Sequence, residues 1–85
     1  MSDPLEQQFQ QAAADAQKLT ERPSNEVLLR LYALFKQATE GDVQGERPGL
    51  GDFKARFKHD AWASIQGMPA QEAMQAYVDL VESLK

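Results

Sequence analysis

The sequence contains no cysteine, one histidine (His59) and one tryptophan (Trp62). The first absence removes disulfides, thiolate metal ligands and a cysteine nucleophile from consideration. The pair His59-Asp60 has no further ligands at metal-binding spacing, and no Ser-His-Asp or paired-carboxylate arrangement can be built around it. No enzyme activity, metal site or resident cofactor is therefore expected. Long apolar runs are also missing: no stretch approaches the ~20 residues of a membrane span, which argues against stable membrane insertion. The opening Met1-Ser2-Asp3-Pro4-Leu5-Glu6 lacks the basic and apolar segments of a signal peptide, so the expected location is cytoplasmic. Cations are in the minority. Nine Lys and Arg against thirteen Asp and Glu give a net charge of −4, which argues against non-specific nucleic-acid binding.

What remains is an ordinary globular balance, with 42% hydrophobic and 26% charged residues over 85 positions. One domain spanning residues 1–85 with a modest core is expected. The apolar periodicity is helical throughout, with no strand alternation. Asp3 as N-cap and Pro4 at the first helical position open a helix whose stripe is Phe9, Ala12, Ala13, Ala16 and Leu19. Glu21-Arg22-Pro23-Ser24 breaks it. Ser24 caps a second helix running to about Glu40, with Val27, Leu28, Leu31, Leu34, Phe35 and Ala38 on its apolar face and Gly41 at its end. A loop of about ten residues from Asp42 to Gly51 follows, longer than most helix–helix connections. Its length implies that the second and third helices are not simple antiparallel neighbours. Asp52 caps a third helix containing Phe53, Phe57, Ala61, Trp62 and Ile65. Gly67 stops it, and Pro69 starts a fourth with Met74, Tyr77, Val78, Val81 and Leu84 on its stripe.

Within this frame one constellation points to chemistry. Tyr32, Phe35 and Lys36 stand three and four residues apart, on one helix face. Lys54 and Lys58 repeat the one-turn spacing with like charges, and Tyr77 adds a ring with a polar tip. Rings beside cations suit a polyanionic ligand that itself carries a planar ring. Taken singly, these aromatics read as core and these lysines as a solvated helix face.

Taken together and in order, the residues resemble the acyl-CoA-binding protein family. The resemblance rests on Tyr32…Phe35-Lys36-Gln37-Ala38-Thr39…Gly41-Asp42, then Glu46-Arg47-Pro48-Gly49…Asp52-Phe53-Lys54…Lys58…Asp60-Ala61-Trp62, then Ala73-Met74…Ala76-Tyr77. It covers the chain from Phe9 to Lys85. It implies an all-α, four-helix up-down-down-up bundle, with the long loop as the connection between helices two and three. It further implies a long-chain acyl-CoA ligand held in a surface bowl, and a monomeric intracellular carrier and buffer of such esters. Transient contact with acyl-CoA-using enzymes or with membranes would accompany delivery. Carried over by position, Tyr32, Lys36, Lys58 and Tyr77 would hold the 3′-phosphate and adenine region. Phe35 would stack where the family often has tyrosine. Ala13 would allow close approach of the coenzyme, Leu28 and Leu29 would line the acyl region, and Lys54 would be a secondary contact. Gln17 stands at a ligand-reaching position where many relatives carry a cation, so one ionic contact is lost. His59 stands where the family usually has tryptophan. The competing reading is a helical interaction module whose groove takes a peptide or partner protein.

Overall fold

The computed structural model describes residues 3–85, which form α1 (Pro4–Ala16), α2 (Asn25–Glu40), α3 (Phe53–Ala63) and α4 (Ala70–Ser83). The helix starts follow from side-chain capping. Asp3 accepts from the Leu5 N–H, Ser24 from the Val27 N–H and Asp52 from the Ala55 N–H, each satisfying a donor that the first helical turn leaves unpaired. α4 begins without a side-chain cap. Pro69 is its N-cap, and helical residues start at Ala70. Gly41 closes α2 at φ 83°, a left-handed conformation that a side chain resists, and its N–H bonds to the Gln37 carbonyl.

Cross-helix contacts fix the directions. Tyr32 of α2 lies beside Lys58 of α3, and Lys36 beside Trp62, so both helices advance together and run parallel. Phe9 meets Tyr77, and Asp15 pairs with Lys85, so α1 and α4 are parallel as well. Between α2 and α4 the order reverses, since Gln37 bonds to Met68 while Phe35 reaches Tyr77. The result is the up-down-down-up bundle. Laterally the order is α1, α4, α2, α3: α4 packs on α1 and α2, and α3 packs on α2 alone. The parallel α2–α3 pair is what the ten-residue connection makes possible. That loop is pinned to α3 by Arg47, whose Nε and Nη2 donate to the two carboxylate oxygens of Asp60 at 2.8 and 2.7 Å, a bidentate pair.

The core is built from Phe9 and Ala12 of α1, Leu31, Ala33, Leu34 and Ala38 of α2, Trp62 and Ile65, and Ala73, Tyr77 and Val81 of α4. Two expectations change on contact with this packing, both about where a helix stops. Leu19 falls after the end of α1, and Ile65 lies in the turn after α3, buried there without being helical. Phe53 and Phe57 are helical but point to solvent, because the α3 surface that meets α2 is the one carrying Trp62.

A buried glutamine joins the ends of three elements. Gln37 donates through Nε2 to Asp42 Oδ1 at 2.8 Å and to the Met68 carbonyl at 2.9 Å, and the same Asp42 oxygen accepts from the Gly67 N–H at 2.7 Å. The hydrogen bonds from Gln37 and then Gly67 hold the Asp42 carboxyl below its ordinary value of 3.8. A depressed folded-state pKa means stabilisation that is complete above the unfolded value and lost as pH falls through the folded one. Asp42→Asn is therefore expected to weaken the fold near neutrality and to flatten the acid limb of stability. Urea midpoints at about pH 7 and about pH 3 should converge for the variant relative to the parent. Equal loss of stability in both proteins on acidification would remove Asp42 from this role.

Candidate ligand site

α1 and α2 approach each other only through side chains, chiefly the Phe9 and Phe35 rings stacked at 5.4 Å. The gap between them opens into a cavity of about 400 Å³ floored by α4 and lined by Ala13, Gln17, Leu28, Tyr32, Phe35 and Tyr77, with Ala16, Leu19, Pro23 and Leu31 completing it. A second hollow of about 520 Å³ shares Ala13 and Phe35 and continues along the same groove toward Thr39 and Met74. Ala13 belongs to both because a methyl side chain leaves the groove open where a larger one would fill it.

Tyr77 is the anchor of the floor. It is 5% exposed, edge-on to Phe9 at 5.1 Å and tilted against Phe35 at 6.0 Å, and burial pushes its phenol above the usual value of 10.0. It therefore stays neutral and able to donate a hydrogen bond. Phe35 is partly exposed and presents ring surface to the groove.

The cations gather on the other side of Tyr32. Lys58 Nζ lies 5.4 Å and Lys36 Nζ 5.9 Å from the Tyr32 ring centroid, and Lys36 is also 5.6 Å from the Trp62 ring. Lys58 is exposed and has no carboxylate partner among the described residues, whereas Lys36 is paired one turn along with Glu40. The Glu40 hydrogen bond raises the Lys36 pKa further, so its ammonium is permanent at neutrality. Two like charges over one ring repel each other, and a phosphate between them would reverse that sign.

Seven of the ten candidate positions thus surround one groove or its Tyr32 wall, with Lys36 the eighth. Leu29 is half-buried on α2 and Lys54 is exposed on α3, and neither lines the cavity. Gln17 lines it as a neutral side chain at the C-cap of α1. His59 is neither solvated nor part of the lining. Its side chain is 17% exposed, its Nδ1 lies 3.8 Å from Asp60 Oδ1, and neither ring nitrogen has a hydrogen-bond partner among the described residues. Trp62 serves packing, donating through Nε1 to the Gly41 carbonyl at 2.8 Å. Glu40 is the participant overlooked in the sequence. Its one-turn spacing from Lys36 was the available signal. Among the described residues no group of metal-ligating side chains converges, and no helix is long and apolar enough to cross a membrane.

Comparison with known proteins places this groove in context. The model of the acyl-CoA-binding protein family matches residues 6–81. An acyl-CoA-binding protein homolog of Manduca sexta is 48% identical over 81 residues, covering 94% of this chain and 90% of that protein. The acyl-CoA-binding protein of Brassica napus is 46% identical over 80 residues, covering 94% and 87%. The crystal structure of acyl-CoA-binding protein 2 of Oryza sativa superposes with a TM-score of 0.90 at 42% identity, over 94% of this chain and 89% of that one. The four helices and their order define a small all-α bundle with a groove between its first two helices. The chain belongs to the acyl-CoA-binding protein family.

Proposed function

We propose that the protein binds long-chain acyl-CoA esters without chemical change and serves as their carrier and buffer inside the cell. The observation that carries this reading is the placement of two ammonium groups over the Tyr32 ring at the edge of an apolar groove. In the proposed complex Lys36 and Lys58 take the 3′-phosphate, Tyr32, Phe35 and Tyr77 hold the adenine region, and Ala13 leaves room for the coenzyme. Leu28 meets the acyl chain, while Leu29, outside the cavity, takes no direct part. Gln17 offers a hydrogen bond in place of an ionic contact, and Lys54 is a peripheral cation. The tail supplies most of the drive, at ~0.8 kcal/mol per buried methylene, offset by the costs of association and ordering.

Calorimetric titration with saturated acyl-CoA esters, free coenzyme A and free fatty acid tests the reading. Tight binding is expected for long tails, each buried methylene adding ~0.8 kcal/mol, with weaker binding for free coenzyme A and little for fatty acid. Equal affinity for a fatty acid and its coenzyme ester would overturn it.

Glu40 competes with the ligand for Lys36. Releasing an exposed one-turn ion pair costs a few tenths of a kcal/mol up to about 1. Glu40→Gln is therefore expected to tighten acyl-CoA binding by about two- to fivefold at low salt, with the gain shrinking as salt is added. Titrations of parent and variant at two ionic strengths check this.

A further inference from the structure

The two cations of the proposed phosphate site stand on different helices, so their spacing depends on how α3 is held against α2. The contacts across that seam repeat at one-turn intervals. Lys58 Nζ lies 5.4 Å from the Tyr32 ring and, four residues further along both helices, the Trp62 ring lies 5.6 Å from Lys36 Nζ. Residues four apart share a helix face, so Lys58 and Trp62 together mark the side of α3 that meets α2. Trp62 also donates through Nε1 to the Gly41 carbonyl, which ties its end of the seam to the end of α2. That tie lies one turn beyond Lys58, and Lys58 itself makes no ion pair among the described residues.

The loop between the helices closes the opposite side. It leaves α2 at Asp42, whose carboxylate accepts from Gln37 and from the Gly67 N–H, and it meets α3 before entering it at Asp52. On the way Arg47 grips both oxygens of Asp60, and the Pro48 carbonyl accepts from Arg56 Nη1 at a longer 3.5 Å. Arg56 and Asp60 are one turn apart and share a face of α3. Asp60 is two residues from Lys58 and two from Trp62, about 200° of rotation, so that face is turned away from α2. The loop therefore passes round the far side of α3 and holds it against its one helical neighbour. The Arg47–Asp60 pair is half-exposed and adds little to global stability. Its bidentate fork nevertheless fixes direction as well as distance. The hydrogen bond from Arg47 also holds the Asp60 carboxyl below its ordinary value of 3.8, so the pair stays ionised at neutrality.

We infer that Arg47 and Asp60 are positioning residues for ligand binding: by strapping α3 against α2 they keep Lys58 beside Lys36, within reach of one phosphate, and so set the preference for a 3′-phosphorylated ligand. This rests on the acyl-CoA reading, in which Lys36 and Lys58 share that phosphate. Neither Arg47 nor Asp60 lines the groove. Charge alone gives Asp60 the opposite role. Its carboxylate is an anion close to Lys58 in the chain, and removing an anion beside a phosphate site strengthens phosphate binding. Positioning demands the reverse. Without the carboxylate the strap loosens, α3 samples separations too wide for both ammonium groups to reach one phosphate, and apparent affinity falls with the fraction still closed. The sign of the effect separates the two roles.

Titration of the parent, Asp60→Asn and Arg47→Lys with a long-chain acyl-CoA ester and with its 3′-dephospho analogue tests this. Asp60→Asn is expected to weaken binding of the phosphorylated ester by about two- to fivefold, the worth of one exposed ion pair, and to leave the dephospho ester as in the parent. Arg47→Lys keeps the charge and loses the fork, so it should shift the ratio of the two affinities in the same direction by a smaller factor. It carries the same test if Asp60→Asn does not fold. Variants that bind the phosphorylated ester as tightly as the parent, or more tightly, overturn the inference. Equal weakening toward both esters overturns it too, since that would make the clasp a support of the whole groove. A parent that binds the two esters alike would instead remove the phosphate reading of Lys36 and Lys58, and the role of the clasp with it.

Discussion

Replacing Tyr77 by alanine is expected to destabilise the protein by about 3–5 kcal/mol, the range for truncating a buried aromatic. Tyr77 is the ring on which Phe9 of α1 and Phe35 of α2 converge, and α1 and α2 have little else in common. Its loss would open the floor of the groove and loosen both walls. For a domain with total stability of about 5–15 kcal/mol, the variant would be partly unfolded at moderate temperature. Tyr77→Phe separates the two roles of the side chain. It keeps the ring contacts, so stability should change by less than about 1 kcal/mol, while acyl-CoA affinity should fall by about 0.5–1.5 kcal/mol, the net worth of a neutral hydrogen bond. Denaturation curves and titrations on both variants provide the check. Full affinity in a folded Tyr77→Phe protein would leave the hydroxyl without a ligand role.

The second large effect is expected at the cations. Lys58→Ala should weaken acyl-CoA binding by about 2–3 kcal/mol and Lys36→Ala by about 1.5–2 kcal/mol, within the range for hydrogen bonds to charged groups. The order follows from the apo pairing. Lys58 is free to take a phosphate, whereas Lys36 must first leave Glu40. Neither substitution removes a core contact, so unfolding midpoints should stay close to the parent. The 3′-dephospho ester discriminates the cause. Variant and parent should bind it with much smaller differences, and an undiminished deficit toward it would exclude contact with that phosphate.

The starts of α1, α2 and α3 and the end of α2 were legible because capping is local chemistry: Asp3, Ser24 and Asp52 each sit where the first turn needs an acceptor, and Gly41 where α2 must turn, whereas α1 and α3 stop earlier than their apolar pattern suggests. Loop length showed only that α2 and α3 are not simple antiparallel neighbours, and their parallel course was implied by the family resemblance. Other features depend on which surfaces meet, and one sequence does not state that. Phe53 and Phe57 have the spacing of a core stripe, yet α3 turns Trp62 inward instead. Gln37 offers no pattern that marks it as buried, since its partners Asp42, Gly67 and Met68 converge only in the folded chain. Of the site, the grouping of Tyr32, Lys36 and Lys58 was readable through the family pattern. The place of Glu40 against Lys36, and of Leu29 and Lys54 outside the cavity, required coordinates.

The lateral order of the helices also ranks their kinetic independence. α4 and α2 each have two helical neighbours, while α3 has one, and the Cα trace is only 15 Å through its thinnest dimension. An element fastened along a single seam can detach without exposing the remaining core. Its opening free energy is set by Trp62, Ile65 and the Arg47 clasp rather than by the whole molecule. Backbone amides of α3 should accordingly exchange with deuterium well before those of α2 and α4. Bound ligand spanning Lys36 and Lys58 would tie α3 to α2 and slow that exchange.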